Sequence, residues 1–470
     1  MNTPESTHPT IAIIGGGFSG AVLALKLAGR AGVGAVLLFE RNRRVGVGLA
    51  YGACAAHHLL NVPVERLEIG LAPRFADWLA AQPDFTPTPG TPLAESFAPR
   101  ALYGRYLEQR IAAAPGVGHV RGEAVRIEER PRRVVLRDGR SYAADVVVLA
   151  TGNAAPAPLP GGEAMNGART TPDPWAYDAF DAIADDDRVL MIGAGLTMVD
   201  VALSLRVRGH RGPLIAVSRR GLTPARHVTG GAWAPFLGEA VGKSARAALG
   251  VFRRALADAA RAGVPWQRVM DAARPDAARV WRAWPMAERR RFLRHLRARW
   301  DAHRHRMPPT VAVAINAMAA DGQLSIRAGR IVGADPRGDA VEVRLAITGA
   351  AQPVRLPVDR IINCTGPRTD LMGDETPLVA DLRRQGLVRV DVLGLHSEDG
   401  ALIDASGAPS RWLFALGPLT RPALWEVTAV PEINVQADAL AKRLADPART
   451  ATRAGDAGLS QAFADLGAGI

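Results

Sequence analysis

The chain has 470 residues, 48% of them hydrophobic and 22% charged, which is enough for two or three domains with hydrophobic cores. Lys and Arg number 58 against 46 for Asp and Glu, so the net charge is +12. Only two cysteines occur, Cys54 and Cys364, which excludes a disulfide scaffold, a CxxC redox pair and a thiolate metal site.

The sequence shows no pattern of a membrane span or a nucleic-acid surface. No run of about 18 uninterrupted apolar residues occurs, and the start of the chain lacks the basic pattern of a signal peptide, so we expect a cytoplasmic protein. Residues 251–310 hold fifteen arginines against five acidic residues. This composition favours a solvated helical face over a phosphate-binding surface, so no nucleic-acid partner is expected.

The first motif is a glycine turn between two predicted strands. An apolar run at 11–14 leads into Gly15-x-Gly17-x-x-Gly20, a helical pattern and a second apolar run that ends at Glu40. These glycines allow a tight turn, close approach of a pyrophosphate, and close packing of helix on strand. The helix N-terminus attracts the anion, and Glu40 is placed to accept hydrogen bonds from a ribose. The pattern predicts a dinucleotide site, which its position assigns to FAD.

The loop after this unit offers further flavin contacts. Asn61 is interpreted either as an amide facing the isoalloxazine ring or as a buried turn residue, and Tyr51 either shields the flavin edge or packs. Arg100 is expected to contact the FAD phosphates. The residues predicted to contact FAD here are Gly15, Gly17, Phe18, Ser19, Gly20, Glu40, Arg41, Gly48, Tyr51, Asn61, Val62 and Arg100.

A second strand–glycine–helix pattern begins near residue 188. Gly193 and Gly195 repeat the first two glycines, but Met198 stands where the third would be. Without that glycine, helix and strand are expected to lie further apart than in the first unit. The pattern predicts a second dinucleotide site.

The spacing that reaches Glu40 in the first unit reaches Ser218 in the second, and Arg219 and Arg220 follow. A carboxylate would repel a ribose 2′-phosphate, whereas arginine pairs with it, so this unit favours NADPH over NADH. The alternative is that the two arginines form a plain surface turn. The residues predicted to contact this dinucleotide are Gly193, Gly195, Leu196, Thr197, Ser218, Arg219 and Arg220.

Two Thr-Gly pairs are expected to mark crossings between domains beside the nucleotides. Each pair ends an apolar run, and a Pro/Ala/Gly-rich linker follows the first. Near the closing helix, a glycine–proline pair and the helix start are expected to face the flavin. The residues in these segments are Thr151, Gly152, Thr365, Gly366, Gly417, Pro418 and Ala429.

These elements predict an α/β fold with two Rossmann-like dinucleotide-binding domains, for FAD and NADPH, and a helical insert. The insert, at about 226–309, is expected to cap the junction of the two domains. The predicted divisions are 1–160 and 361–446 for the FAD-binding domain, 161–360 for the NAD(P)H-binding domain, and 447–470 for a flexible tail.

The order of these motifs resembles that of the two-dinucleotide-domain flavoproteins, which include flavin-containing and amino-acid N-hydroxylating monooxygenases. More narrowly, the chain resembles the bacterial FAD/NAD(P)-binding proteins. The segments that carry this resemblance over about residues 11–440 are Gly46–Tyr51, Leu60–Pro63, Phe97–Arg100 with Tyr103-Gly104, Gly195–Asp200, Arg304–Arg306, Leu424–Glu426 and Ala429–Glu432.

The resemblance implies NADPH-dependent monooxygenase chemistry on small amino or acidic substrates. Two departures limit it. The linker 152–175 holds no histidine, so a standard Baeyer–Villiger enzyme is not expected, and Pro418 follows Gly417 where related flavoproteins carry an aspartate.

Candidate catalytic residues are few. Asn61, His303 and His305 are the candidates, and Arg304 and Arg306 are the candidate substrate binders because arginine forks bind carboxylates. Histidines two positions apart lie on different helix faces, so no metal site is predicted. The alternative for this segment is an Arg/His-rich helix end stabilised by the helix dipole.

The predicted activity is an FAD-dependent, NAD(P)H-using oxidoreductase, a monooxygenase acting with O2 on a small, carboxylate-bearing substrate. One alternative is a flavoprotein reductase that passes electrons to a protein or a quinone. Another is a non-catalytic FAD-binding redox sensor.

Overall fold

The computed structural model describes residues 8–373 and 376–446, so the predicted tail at 447–470 lies outside the described residues. The amino-terminal part of the chain is half of a Rossmann-like domain, because its central strands are apolar throughout and are joined by helices. Its elements are β1 (Ile11–Ile14), α1 (Phe18–Leu27), β2 (Val36–Glu40), α2 (Gly48–Gly52), α3 (Phe75–Ala80), α4 (Arg100–Ala112), β3 (Val117–Arg121), β4 (Ala124–Glu129), β5 (Arg132–Leu136), β6 (Ser141–Ala143) and β7 (Val146–Leu149).

The middle of the chain repeats the strand–helix–strand pattern and adds the helical insert after its second long strand. The first elements are α5 (Glu163–Asn166), β8 (Thr170–Thr171), β9 (Val189–Ile192), α6 (Leu196–Val207) and β10 (Leu214–Ser218). The insert holds α7 (Ala245–Arg261), α8 (Trp266–Ala272), α9 (Arg274–Ala283), α10 (Met286–His295) and α11 (Arg297–Arg304). Then follow α12 (Pro309–Ala320), β11 (Leu324–Arg337), β12 (Ala340–Ile347), β13 (Val354–Val358) and β14 (Arg360–Asn363).

The last part of the described chain returns to the first domain. Its elements are α13 (Pro377–Arg384), β15 (Val390–Asp391), β16 (Gly394–Leu395), β17 (Ser397–Glu398), β18 (Ala401–Ile403), β19 (Pro409–Ala415), α14 (Arg421–Leu424) and α15 (Val430–Leu444).

Two seven-stranded sheets form the frame of the molecule. The first has the order β17-β18-β19-β7-β1-β2-β3 and the second the order β13-β12-β11-β10-β9-β14-β8. In each sheet five neighbouring strands run parallel to one another. The other two strands extend the sheet at one side, and each pairs antiparallel with the strand next to it. Parallel strands place their carboxyl ends at one edge of the sheet, where ligands of open α/β sheets bind. The predicted fold class, with two Rossmann-like dinucleotide-binding domains and a helical insert, is confirmed.

The insert packs on the first domain through aromatic side chains. Trp281 stacks on Trp425 with ring centroids 4.9 Å apart, and its indole N–H donates to the Pro422 carbonyl at 3.0 Å. A parallel β-bridge between Arg226 and Met307 closes the base of the insert in the second domain. The insert therefore connects the two domains.

The two glycine turns have the same backbone conformation. Gly15 has a φ of +110° and Gly193 a φ of +118°, which side chains disfavour. A Cβ on Gly15 would lie 2.4 Å from the Ala150 carbonyl oxygen, and a Cβ on Gly193 would lie 2.2 Å from that of Cys364. Each turn thus packs tightly against the backbone at the end of a neighbouring strand, directly before a Thr-Gly pair.

Gly193→Ala is expected to lower the free energy of unfolding by at least about 2 kcal/mol, because the methyl group meets a carbonyl oxygen and the backbone is strained. The matched control is Gly195→Ala, since Gly195 has a φ of −87° and a methyl group added there would have no atom within 4 Å. The control should change stability by less than about 0.5 kcal/mol. Urea unfolding measures both, and equal losses would contradict the steric explanation.

Candidate functional site

The first glycine turn is shaped to receive a phosphate. Helix α1 begins after Gly17 with no side-chain cap and no acidic residue in its first turn, so its N–H groups and dipole are available to an anion. A Cβ on Gly17 would lie 3.3 Å from the Cα of Gly48, and one on Gly20 would lie 1.9 Å from the Gly15 carbonyl oxygen. Glycine at these positions therefore allows the close backbone packing on which a dinucleotide-binding turn depends.

Glu40 lies at the end of β2 beside this turn. Its Oε2 accepts the Gly16 N–H at 2.9 Å and its Oε1 accepts the Asn42 N–H at 2.8 Å. A carboxylate has about four acceptor sites, so it retains capacity for a ribose hydroxyl. Arg41 next to it is exposed, and Val62 further along the chain is partly exposed.

The carboxyl end of β19 meets the start of α1. A Cβ on Gly417 would lie 2.5 Å from Ser19 Oγ, and the Gly417 N–H donates to Gln436 Oε1 at 2.8 Å. Pro418 follows in the same turn, and Ala429 is the N-cap residue of α15. The structure thus gathers the predicted FAD contacts from both ends of the chain at one sheet edge.

Phe18 and Tyr51 are packing residues in this arrangement. The Phe18 ring lies 6.1 Å from the rings of both Tyr51 and Tyr103, and all three side chains are buried. Burial raises the pKa of the Tyr51 phenol well above its usual value. Tyr51 therefore remains neutral, consistent with the packing interpretation.

The second glycine turn is more open. Helix α6 begins at Leu196, directly after Gly195, and Thr197 lies in its first turn. As in α1, the helix has no side-chain cap and no acidic residue in its first turn. Met198, in the place of a third glycine, is fully buried in the core beneath α6. Thr151 and Thr365, at the two strand ends, are exposed and are each followed by a positive-φ glycine, Gly152 and Gly366.

Ser218 closes the turn after β10. Its Oγ accepts the Gly221 N–H at 3.1 Å, which leaves Arg219 and Arg220 exposed at the strand end. Arg220 Nη2 donates to the Arg294 carbonyl at 3.4 Å, near the carboxyl end of α10. Neither arginine pairs with a carboxylate in the described chain, so both can bind an anion.

The guanidinium group of Arg100 is engaged by other groups of the protein. It forms an ion pair with Asp200 on α6, with Nη1 to Oδ2 at 2.8 Å and Nη2 to Oδ1 at 3.2 Å, and its Nε donates to the Leu59 carbonyl. Both partners are largely buried, and burial raises the pKa of Asp200 although Arg100 opposes it. Arg100 therefore joins the two domains, and its contact with the FAD phosphates stays a prediction.

Two histidines that the sequence interpretation left out complete this domain contact. The Ala55 N–H donates to His58 Nδ1 at 3.1 Å, so the neutral ring carries its proton on Nε2 and donates to Ser204 Oγ at 2.9 Å. Ser204 Oγ also shares a hydrogen bond with His57 Nε2 at 3.1 Å. Burial, with Arg100 and His57, lowers the pKa of His58 to about 4.

A cavity of about 140 Å³ lies between the loop after Asn61, the chain that leaves β10, and the insert. We call it the arginine pocket, because Arg66, Arg268 and Arg306 line it around the single buried carboxylate of Asp271. Its other lining residues are Pro63, Glu65, Glu95, Phe97, His227, Val228, Thr229, Gly230 and Pro309.

Asp271 is a buried carboxylate shared by the three arginines. Arg306 Nη2 donates to Asp271 Oδ1, Arg268 Nη1 lies 3.4 Å from Oδ2, and Arg66 Nη1 lies 3.9 Å from Oδ1. Glu65, a more exposed carboxylate of the pocket, lies 4.0 Å from Arg66 Nε. Burial lowers the pKa of Arg306 to about 10, so it stays charged at neutral pH. Guanidinium groups fixed in a pocket wall suit a carboxylate ligand.

The four candidate residues at and just after the end of α11 lie in different environments. Arg306 lines the arginine pocket as a substrate binder would, but Arg304 is buried between Glu426 and Glu432, at 3.1 and 3.0 Å. His303 is exposed, with Nδ1 on the Arg299 carbonyl, and His305 lies near Glu426 with its pKa lowered by burial. Neither histidine lines the pocket, since His303 lies on the exposed side of α11 and His305 is the C-cap residue of that helix.

Asn61 is held through its backbone. Its carbonyl oxygen accepts a hydrogen bond from His227 Nε2 at 2.9 Å, while its side-chain amide has no hydrogen bond to residues 8–373 or 376–446. The sequence interpretation missed His227, Arg66, Arg268 and Asp271, because they come from separate segments with no common spacing.

Among the described residues, no cluster of His, Cys, Asp and Glu is arranged to hold a metal ion. None of the helices in those residues has the length and apolar character that crossing a bilayer would require.

Comparisons with known proteins agree with this geometry. Residues 12–154 match the family model described as FAD-NAD(P)-binding, which confirms that resemblance for the first domain. The ornithine N-hydroxylase of Kutzneria sp. 744, solved with reduced FAD, NADP+ and L-ornithine, has 15% identity and a TM-score of 0.62, over 93% of this chain and 99% of that chain.

Two further solved structures have the same fold. The FAD-bound cadaverine monooxygenase of Erwinia amylovora has 12% identity and a TM-score of 0.65, over 96% of this chain and 97% of that chain. The L-lysine 6-monooxygenase of Pseudomonas syringae has 18% identity and a TM-score of 0.60, over 93% and 99% of the two chains. At these identities the similarity is one of fold.

Arg304→Gln is expected to lower the free energy of unfolding by about 3 kcal/mol, because Glu426 and Glu432 lose a buried counter-charge. Arg299→Gln, on the exposed side of the same helix, is the control and should change stability by less than about 0.5 kcal/mol. Urea unfolding compares the two. A stable Arg304 variant would contradict the structural role assigned to this ion pair.

Protonation of His58 is expected to weaken the domain contact. The pKa is about 4 in the folded protein and 6.5 when unperturbed, so the unfolded chain binds the proton first. The stability contributed by neutral His58 is complete above pH 6.5 and is lost as the pH falls towards about 4.

The test compares wild type with His58→Gln by urea unfolding across this window, with His303→Gln as an exposed control. Because Gln does not titrate, the wild type should lose stability faster on acidification than the His58 variant. Parallel pH profiles for the two proteins would show that His58 does not carry this dependence.

Proposed function

We propose that this protein is an FAD-dependent, NAD(P)H-using monooxygenase that acts on a small, carboxylate-bearing substrate. The observation that carries the proposal is the arginine pocket, which lies between the first domain and the insert and is lined by the guanidinium groups of Arg66, Arg268 and Arg306. Such pockets between domains, with a few convergent polar groups, are typical of substrate sites.

The first domain would hold FAD. The turn at Gly15–Gly20 and the N-terminus of α1 would bind its pyrophosphate, and Glu40 its adenosine ribose. The fit rests on the Gly17–Gly48 approach, where a side chain on either residue would fill the space left beside the turn. When bound, FAD supplies electron acceptance from a nicotinamide dinucleotide and reaction with O2.

The second domain would hold the nicotinamide dinucleotide, with a preference for NADPH. Gly195 and the N-terminus of α6 would face its pyrophosphate, and Arg219 and Arg220 would pair with the 2′-phosphate. The space around Gly195 is open, whereas Gly17 packs against Gly48. This difference supports a resident dinucleotide in the first domain and an exchanging one in the second.

The arginine pocket would bind the substrate carboxylate. Arg306 is only 2% exposed and Arg268 is held by Asp271, so both guanidinium groups are fixed in the pocket wall before a ligand arrives. Fixed donors in a site with little water bind an anion more strongly than mobile surface side chains do. The similar structures act on ornithine, lysine and cadaverine, which supports a small substrate that carries nitrogen.

The purified protein should contain FAD, oxidise NADPH in the presence of O2, and add one oxygen atom to a metabolite. The assay incubates the protein with NADPH, O2 and a bacterial metabolite extract, and mass spectrometry detects compounds that gain one oxygen. Strong reduction of a quinone or a cytochrome, without an oxygenated product, would instead establish a reductase. A protein that binds FAD but never oxidises NADPH would be a binding module.

Cofactor choice forms a second arm of this experiment. Replacing Arg219 and Arg220 with Ala should raise the KM for NADPH by about tenfold or more and leave that for NADH nearly unchanged, since only NADPH carries the 2′-phosphate. Replacing Arg246 and Arg253 of α7, two exposed arginines, provides the matched charge control. If both donors respond equally to the first pair, the two arginines form only a surface turn.

A further inference from the structure

His227 lies where three parts of the molecule meet at the arginine pocket. Its backbone N–H donates to the Met307 carbonyl at 2.9 Å at the base of the insert, and its ring packs 5.1 Å from that of Phe97 in the first domain. Its Nε2 lies 2.9 Å from the Asn61 carbonyl oxygen. The ring is therefore held by Phe97 and by the Asn61 carbonyl, and it forms part of the pocket wall.

These contacts decide which ring nitrogen carries the proton. A carbonyl oxygen only accepts hydrogen bonds, so Nε2 must be the donor to Asn61 and the neutral ring has an unprotonated Nδ1. Burial and the neighbouring Arg306 lower the pKa of His227 to about 3, so the ring stays neutral at physiological pH.

Nδ1 of His227 is an acceptor without a protein partner in the described chain. No hydrogen bond reaches it from the described residues, and it is not among the atoms enclosed without solvent contact. Since His227 lines the cavity, this nitrogen is open to a ligand there. The charged groups that face it are Arg66, Arg306 and Asp271, of which the arginines only donate and Asp271 is engaged by them.

We propose that His227 Nδ1 accepts a hydrogen bond from an N–H or O–H group of the ligand whose carboxylate binds Arg268 and Arg306. The arginine pocket would then select small acids that carry a donor beside the carboxylate, such as amino or hydroxy acids, over plain carboxylic acids. This inference rests on the proposed function only in taking the pocket as the substrate site, and it makes His227 a specificity-determining residue.

The selectivity follows from the cost of an unpaired group. A ligand with a donor satisfies Nδ1, whereas a plain acid of the same size displaces water from Nδ1 and leaves it unpaired. The Phe97 ring and the Asn61 carbonyl hold the His227 ring, so the ring cannot turn to find another partner. We therefore expect discrimination of about tenfold.

The first test is a binding series on the wild-type protein with its FAD, using propionate, L-lactate and L-alanine as probes. These three-carbon acids differ in carrying no donor, a hydroxyl or an ammonium group. Isothermal titration calorimetry should give Kd values for lactate and alanine about tenfold below that for propionate. Equal affinities for the three acids, or no binding by any of them, would overturn the proposal.

Two substitutions separate the two ring nitrogens. His227→Gln places an amide N–H near the Nε2 position, so it retains donation to Asn61 but loses the acceptor at Nδ1. His227→Asn places a carbonyl oxygen near the Nδ1 position, so it retains the acceptor and loses the contact with Asn61. The Gln variant should bind propionate as the wild type does and lose the preference for lactate and alanine, while the Asn variant should retain that preference.

A Gln variant that still prefers the donor-bearing acids would overturn the assignment, because a merely structural role predicts no such loss of selectivity. If wild-type protein fails to oxidise NADPH, the proposed function fails, whereas the binding series still decides the role of His227.

Discussion

Buried arginine must be paired with a carboxylate, and that constraint organises this molecule. Arg100 pairs with Asp200 to join the two dinucleotide-binding domains, and Arg304 pairs with Glu426 and Glu432 to join the insert to the first domain. Each contact removes charges from water, so the loss of either partner would leave an uncompensated buried charge. Burial alone raises the pKa of Glu432, but Arg274 and Arg304 hold it below its usual value. The insert is therefore a structural bridge as well as a basic segment.

At the arginine pocket three arginines share one buried carboxylate. Asp271 serves Arg66, Arg268 and Arg306 together, and Glu65 lies 4.0 Å from Arg66 at the more exposed side. Arginines stay charged at neutral pH, so their charge is available to a ligand. An anionic ligand would pair with them, and the neutral ring of His227 adds an acceptor beside these donors. Donors and an acceptor in one small cavity give the pocket chemical selectivity in addition to charge selectivity.

The repeated strand–glycine–helix unit has diverged in a way that suits two roles. Gly15 and Gly193 keep the same positive-φ turn against a neighbouring strand end. The first turn is closed in by Gly48 and by the carboxylate of Glu40, whereas the second has open space at Gly195 and arginines at its strand end. A tightly surrounded turn favours a cofactor that stays, and an open one favours a cofactor that exchanges.

The sequence by itself determined the two sheets' central strands, the glycine turns and the helical insert, because these depend on local periodicity and on spacings within one segment. It did not reveal the edge strand β3, whose sequence Val-Gly-His-Val-Arg places only one side chain in the core. It also did not reveal the ion pairs of Arg100 and Arg304, since a charged side chain looks the same in sequence whether it faces a ligand or a carboxylate about a hundred residues away or more. Only the tertiary structure brings Asn61, His227, Asp271 and Arg306 together, because no local pattern records contacts between distant segments.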